Sequence, residues 1–71
     1  MDETALLIKL GEKIKATRIK MNMSQHELAM ECNFEKASMS RIESGQVNPT
    51  VRTLNIISKA LGIKIADLFI N

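Results

Sequence analysis

One stripe of side chains between residues 36 and 44 combines hydrogen-bond donors with small groups at helical spacing. The stripe has no acidic member and consists of Lys36, Ala37, Ser40, Arg41 and Ser44. Small side chains let a helix backbone approach a partner closely, while a long cation and two hydroxyls supply donors of the kind that read base edges in DNA. An ordinary solvated helix face is the alternative interpretation of such a stripe.

The residues that flank this stripe predict the elements that must hold it. Positions i, i+4, i+5 and i+8, counted from Phe34, predict an inward face made of Phe34, Ser38, Met39 and Ile42, three of which are apolar. A preceding short helix is indicated by Ser24 and Glu27, which have the spacing of a capping box. The second helix is expected from about Lys36 to Ser44, with Gly45 placed to end it. Two short helices joined by a tight turn predict a helix-turn-helix.

The remaining elements complete an all-α fold. Helix 1 is expected from about Thr4 to Met21, helix 4 from after Thr50 to Gly62, and a short helix 5 over residues 65–69. No segment shows the alternation of a strand. At 71 residues the chain has room for one small domain, which we expect to span residues 1–71. The prediction is therefore a compact five-helix bundle.

Composition narrows the class of protein without deciding it. The net charge is only +2, so any binding of nucleic acid must depend on where the charges lie. A single cysteine excludes an internal disulfide framework and fits a reducing compartment. No apolar run is long enough to predict a membrane span, and no signal-like segment opens the chain. We expect a complete, cytoplasmic protein that makes no membrane contact.

Catalysis is disfavoured by the residues available for it. His26 is the only histidine and is expected in the first turn of helix 2, where solvent exposure or a phosphate contact is favoured over catalysis. Cys32 lies on the inward face and is better explained as a small buried apolar residue than as a nucleophile. The sequence offers no metal-ligand cluster, no pair of carboxylates at a pocket and no phosphate-binding glycine loop. We therefore expect neither an enzyme nor a bound cofactor or metal.

Several short motifs, taken in order, carry a resemblance to a known family. They are L-G-E-K-I-K-x-x-R from Leu10, M-S-Q-H-E-L-A from Met23, M-S-R-I-E-S-G from Met39, N-P-T from Asn48 and L-x-x-I-x-x-A-L-G-I from Leu54. Together, over about residues 8–70, they resemble the lambda-repressor-like, Cro/XRE class of helix-turn-helix domains. The resemblance implies a five-helix bundle in which helices 2 and 3 contact DNA.

The resemblance also assigns roles to individual residues. It implies base contacts in the major groove from Lys36, Ala37, Ser40 and Arg41. It implies phosphate contacts from Gln25, Gln46, Asn48, Thr50 and Arg52. Arg18 interrupts an apolar face, and the resemblance pairs it with Glu43 in a partly buried ion pair, with a direct phosphate contact as the alternative.

The chain departs from the family pattern at four positions. Glu35 stands where a serine or threonine usually caps helix 3, the recognition helix; it could still cap that helix, but its charge would repel a nearby phosphate. Asn33 replaces a turn glycine, Thr17 replaces an apolar residue, and Lys64 stands where a small hydroxyl residue often caps helix 5, so that helix 5 is expected to start late or fray. These differences leave the fold prediction intact and affect chiefly the local DNA contacts.

Symmetry and function follow from the same reasoning. One small domain contacts too few base pairs for selectivity over a genome, so a two-fold homodimer on a palindromic operator is expected. The family dimerises through helices 4 and 5, which here offer Ile56, Ile63, Ile65, Phe69 and Ile70, with Leu6 and Ile8 as further candidates. Burial of these side chains in the core is the alternative.

Two classes of function remain open at this point. The first is a small transcriptional regulator resembling restriction-modification controllers, phage repressors or antitoxins. The second is a protein-interaction module that keeps the fold without binding DNA, and in either case a protein partner is left open.

Overall fold

The computed structural model describes residues 2–70 of the chain. Four α-helices and one C-terminal 3-10 helix, joined by short turns and loops, form this part. The bounds are α1 Glu3–Lys20, α2 Gln25–Glu31, α3 Lys36–Glu43 and α4 Val51–Leu61, followed by the 3-10 helix Ile65–Phe69. No strand occurs within residues 2–70, and the predicted all-α class is confirmed.

The prediction of a fifth α-helix is wrong. The segment begins at Ile65, as the predicted bounds have it, and not late, as Lys64 suggested. Its backbone bonds, however, connect residues three apart, from the Asp67 N–H to the Lys64 carbonyl and from the Ile70 N–H to the Asp67 carbonyl. Five residues allow barely one α-helical turn, so the tighter 3-10 form satisfies the backbone instead. Asp67 steadies the start, because its carboxylate accepts the backbone N–H of Lys64 at 3.0 Å.

Local capping explains where three of the α-helices begin. Asp2, Ser24 and Thr50 each accept the backbone N–H three residues later, at 2.7, 3.0 and 3.1 Å. At α2 the box is complete, because Glu27 accepts the backbone N–H of Ser24 at 2.8 Å. Glu35 precedes α3 without forming a side-chain cap, so α3 depends on packing for its N-terminal end.

The turns between helices use left-handed backbone. Asn22 and Asn33 both have φ of 59°, which asparagine tolerates better than most residues. Helix α1 begins and ends one residue earlier than predicted, with Met21 as its C-cap before Asn22. Helix α3 ends at Glu43 with Ser44 as C-cap, and Gly45 follows with φ of 76°.

The core is built by one or more apolar residues from every element. Ile14, Leu28, Met39 and Ile57 are fully buried and come from the four helices in turn, while Leu68 closes the core from the 3-10 helix. The other buried apolar residues are Leu10, Ala29, Cys32, Ile42, Leu54 and Leu61. Two of the predicted inward positions, Phe34 and Ser38, are only half-buried.

Helix α1 crosses the end of α3 at very close range. A Cβ added to Gly11 would lie 2.6 Å from the Ile42 carbonyl oxygen and closer still to that of Glu43. A Cβ on Gly45 would lie 2.7 Å from the Ile8 Cα. At these two positions the backbones are so close that only glycine fits. This contact determines the distance between α1 and the C-terminal end of α3.

Within residues 2–70, no helix combines the length and apolar character that crossing a membrane would require.

Candidate nucleic-acid interface

Helix α3 presents one polar face to solvent and one apolar face to the core. Its inward side buries Met39 and Ile42 completely or nearly so. The predicted stripe lies on the other side, where Lys36, Ala37, Ser40, Arg41 and Ser44 are all exposed. The Ser44 hydroxyl donates to the Arg41 carbonyl at 3.2 Å, which occupies its proton at the helix end. The remaining stripe side chains are free to contact a partner.

A buried ion pair anchors the C-terminal end of α3 to α1. The Arg18 Nε–H donates to Glu43 Oε2 at 2.8 Å, and a second guanidinium nitrogen donates to Oε1 at 3.0 Å. Arg18 and Glu43 are only 8% and 6% exposed, so the structure places them in the paired, structural arrangement rather than on a free surface. Parallel hydrogen bonds of this kind fix geometry as well as charge.

The same guanidinium also secures the turn between α1 and α2. Its third nitrogen donates to the Met23 carbonyl at 2.9 Å, while the Met23 N–H donates to the Arg18 carbonyl at 3.1 Å. Arg18 therefore binds Met23 with both side chain and backbone. No residue type in the sequence predicts this contact, because every residue has a backbone carbonyl that could accept the hydrogen bond.

Gln25, the first residue of α2, joins this network. Its side-chain N–H donates to Glu43 Oε1 at 3.2 Å, and the residue is half-buried. A carboxylate only accepts hydrogen bonds, so the amide nitrogen must face Glu43. The start of α2 and the end of α3 are thereby joined side chain to side chain.

The ion pair also changes the charge that the interface presents. Because Arg18 pairs with Glu43, that carboxylate is withdrawn from the surface of α3. Over residues 35–52 the exposed charges are then Lys36, Arg41 and Arg52 against Glu35 alone. This segment is locally basic in a chain whose net charge is only +2.

The other predicted phosphate contacts lie after α3 and at the start of α4. Gln46, Asn48, Thr50 and Arg52 are all exposed. The Gln46 N–H is held by the Arg41 carbonyl at 2.9 Å, which fixes the chain as it leaves the helix. The Thr50 hydroxyl is engaged as a cap and donates to the Thr53 hydroxyl at 3.1 Å, so it offers no free proton to a phosphate in this arrangement.

The apolar candidates for a dimer interface fall into two groups. Ile56, Ile63 and Ile65 are partly buried and pack against the core. Phe69 and Ile70 are each 57% exposed and line an open groove between α1 and the 3-10 helix, together with Leu6. Ile8 is also exposed. Among the candidates for a dimer interface, the exposed apolar surface therefore belongs to Leu6, Ile8, Phe69 and Ile70.

The residues considered for catalysis are placed for other purposes. Cys32 is 5% exposed, and burial raises the pKa of its thiol to about 11, which keeps it protonated and unreactive. His26 is exposed in the first turn of α2. The pKa of Glu27 is lowered because its carboxylate accepts the backbone N–H of Ser24, as its cap role requires.

Gly11 has a structural role that the sequence analysis did not identify. Because it has no side chain, α1 can approach the C-terminal end of α3 closely, and this contact positions the exposed face of α3. The available signal was a glycine inside an otherwise helical pattern, which usually marks a close packing contact.

Comparison with known proteins finds relatives that are helix-turn-helix regulators. The model of the helix-turn-helix family HTH_3 matches residues 14–68. The control protein C.BamHI of Bacillus amyloliquefaciens is 42% identical over 59 residues, which cover 82% of this chain and 73% of that protein.

Solved structures show the same fold. The restriction-modification controller C.AhdI of Aeromonas hydrophila superposes with a TM-score of 0.89 at 28% identity, covering 92% of this chain and 98% of that one. The restriction-modification controller C.Esp1396I, solved as a tetramer with its natural 35 base-pair operator, superposes with a TM-score of 0.82 at 33% identity. That match covers 90% of this chain and 84% of the other.

Proposed function

The chain belongs to the helix-turn-helix family HTH_3, and we propose that it is a small homodimeric transcriptional regulator that binds a palindromic DNA operator. The resemblance to Cro/XRE-class domains is confirmed by the family match and by the controller proteins that share its sequence and fold. Among the regulators considered, the restriction-modification controller is the class that we favour, because C.BamHI and C.AhdI are both control proteins.

The observation that carries the proposal is the exposed, locally basic face of α3 on a rigidly anchored helix. Lys36, Ala37, Ser40 and Arg41 are exposed on one side, while the other side is fixed to the core and to the buried Arg18–Glu43 pair. We propose that these four residues contact base edges in the major groove, with Arg41 suited to guanine and Ala37 to a thymine methyl group.

Phosphate contacts are proposed for residues on either side of α3. Gln25 lies at the start of α2, and Gln46, Asn48 and Arg52 are exposed after α3. Arg52 supplies charge, whereas the others supply neutral donors. For Thr50 we propose that the main chain, not the side chain, contacts the phosphate, because the Thr50 hydroxyl donates its proton to the Thr53 hydroxyl. Contacts of this kind set affinity and orientation, while base contacts set the choice of sequence.

The size of the domain supports a dimer. Its longest dimension is 30 Å, whereas recognition helices that enter successive major grooves on one side of DNA are about 34 Å apart. Two such helices must therefore come from two copies. We propose that Phe69 and Ile70, with the partly buried Ile56, Ile63 and Ile65, form the dimer contact. C.Esp1396I was solved on its operator as a tetramer, which is consistent with assembly on DNA.

The proposed role requires no catalysis and no cofactor, and we propose a cytoplasmic location, where the protein meets the DNA that it regulates. We propose that the protein's own concentration controls its activity, because dimer formation and operator binding both depend on that concentration.

The proposal is tested by selecting bound sequences from a random double-stranded DNA pool and measuring affinity for the selected site across a salt series. We expect an enriched palindrome with half-sites one helical turn apart and an affinity that falls steeply with salt. Weak binding without enrichment would refute operator recognition and favour a protein-interaction module.

Two substitutions then separate the roles of the basic residues. Arg41→Ala should relax the base preference at one position of each half-site and cost about 1–3 kcal/mol. Arg52→Gln should weaken binding to all sequences equally and reduce the salt dependence by about one ion per protomer. Lys59→Gln, an exposed lysine in the last turn of α4, serves as the control and should change neither quantity.

A further inference from the structure

Gln25 is held in place by the same carboxylate that anchors α3. Glu43 receives three hydrogen bonds, two from Arg18 at 2.8 and 3.0 Å and one from the Gln25 amide at 3.2 Å. The carboxylate is buried, with only 3% of its side chain exposed. The ion pair alone satisfies the charge of Glu43, so the bond to Gln25 is an additional use of the carboxylate.

We propose that Glu43 is a positioning residue for a phosphate contact: it orients the Gln25 amide before DNA arrives. This inference rests on the proposed function. It adds that a residue of the recognition helix, which touches no DNA itself, prepares a backbone contact made by the neighbouring helix.

The chemistry of the amide supports one orientation. Its nitrogen carries two hydrogens, and the bond to Glu43 uses one of them. Turning the amide over would set its carbonyl oxygen against the carboxylate, two acceptors in contact, so the flipped form loses the bond. Gln25 is half-buried, so part of the residue remains at the surface. The second N–H is the donor that the proposal assigns to a phosphate oxygen.

Pre-orientation has a thermodynamic consequence for binding. A glutamine side chain has several rotatable bonds, and ordering it on contact with DNA costs free energy. If Glu43 orders the Gln25 side chain in the free protein, its conformational entropy is lost when the protein folds. DNA binding then needs no further loss of entropy from this side chain. The arrangement also links two kinds of contact, since any displacement of α3 moves the carboxylate that aims the phosphate donor.

The first test measures the mobility of the Gln25 amide in the unaltered, DNA-free protein. The chain contains a matched control in Gln46, which is exposed and forms no side-chain hydrogen bond within the described residues. The steady-state heteronuclear nuclear Overhauser effect of the Gln25 side-chain amide should approach the value of helix backbone amides, whereas that of Gln46 should be low. Equally low values for the two amides would overturn the inference.

The second test asks whether the contribution of Gln25 depends on Glu43. Gln25→Met keeps the length of the side chain and removes the donor. In the otherwise unaltered protein it should weaken operator binding by about fivefold to tenfold, the effect of one lost hydrogen bond. In an Arg18→Met/Glu43→Leu background, which removes the acceptor, the same change should weaken binding by less than about twofold.

Two further readouts distinguish positioning from a general structural role. The loss caused by Gln25→Met should be equal on the selected operator and on shuffled DNA, with no change in salt dependence, because glutamine is uncharged. An equal loss of affinity in both backgrounds would refute the positioning role of Glu43. If the apolar background does not fold, the amide measurement on the unaltered protein decides the question.

Failure of the inference and failure of the proposed function give different results. If the unaltered protein binds no DNA, the proposed function is refuted, and the phosphate role with it. If it binds an operator while Gln25 and Glu43 contribute independently, only the positioning role is refuted.

Discussion

The buried Arg18–Glu43 pair should behave very differently when one partner is removed and when both are replaced. Arg18→Met leaves the Glu43 carboxylate buried, with the neutral amide of Gln25 as its remaining side-chain donor. Breaking a buried pair in this way typically costs about 3–5 kcal/mol. For a chain of 71 residues, the whole free energy of unfolding is about 4–10 kcal/mol. The single variant should therefore lose a third or more of its stability.

Replacing both partners removes the charges together. Arg18→Met/Glu43→Leu substitutes apolar side chains that fill much of the same space, and such replacements are often neutral or stabilising. The Gln25 amide loses its acceptor but is only half-buried, so water can take that place. We expect the double variant to remain within about 2 kcal/mol of the unaltered protein.

The comparison is made by urea unfolding followed with far-ultraviolet circular dichroism, since the chain has neither tryptophan nor tyrosine for a fluorescence signal. With a slope of about 1 kcal/mol per molar urea for a domain of this size, the single variant should lower the midpoint by about 3–5 M. Lys15→Met, at an exposed lysine of the same helix, is the control and should change stability by less than about 0.5 kcal/mol. Equal destabilisation of the single and double variants would show that the unpaired charge is not the cause.

Three other predictions follow from single features. Gly11→Ala should destabilise the protein by about 1–3 kcal/mol and weaken DNA binding, although alanine favours helix by about 1 kcal/mol, because the new methyl group meets the Glu43 carbonyl. Cys32 should make stability fall by roughly 1–2 kcal/mol as pH rises from 9 to about 11, because its pKa is 9.0 ordinarily and about 11 when buried, so the folded state keeps a proton that the unfolded state releases. Ser24→Ala should lower the free energy of unfolding by about 1 kcal/mol, because α2 loses its N-cap.

Each of these has a control in the same chain. Gly62→Ala faces open space at φ of 71°, so it should cost about 1–2 kcal/mol from backbone strain while leaving DNA binding unchanged. A Gly11→Ala variant with normal DNA affinity would contradict the claim that the close contact of α1 at Gly11 positions α3 for DNA binding. The extra loss of stability above pH 9 should be absent in Cys32→Ala, and its persistence there would assign it to other groups. For the cap, Ser24→Asp should retain most of the stability that Ser24→Ala loses.

Much of the fold follows from local patterns in the chain. The capping box at Ser24, the cap at Thr50 and the left-handed Gly62 place helix ends within a residue or two of where the structure has them. Helical spacing also separates the buried Met39 and Ile42 from the exposed stripe of α3. These features depend on residues three to five apart, so they are set by the backbone geometry of a helix and can be predicted without knowledge of the tertiary fold.

Other features depended on contacts between distant parts of the chain. The fifth element is a 3-10 helix because a segment this short takes its conformation from its packing against α1 and α4 rather than from its own propensity. The resemblance to a family suggested that Arg18 pairs with Glu43, but the spacing of the residues alone gave no such pairing.

The sequence by itself therefore determined where the helices lie, which face of α3 is polar and which family the chain resembles. Only the tertiary structure decided that Arg18 also secures the Met23 carbonyl, that Gln25 shares the Glu43 carboxylate, and that Gly11 sets the approach of α1 to α3. The physical reason is distance along the chain. Glu43 lies 25 residues from Arg18 and 18 from Gln25, and no local periodicity relates positions that far apart. The three residues meet because the apolar faces of the four helices are buried in one core, and this packing determines the position of every helix end.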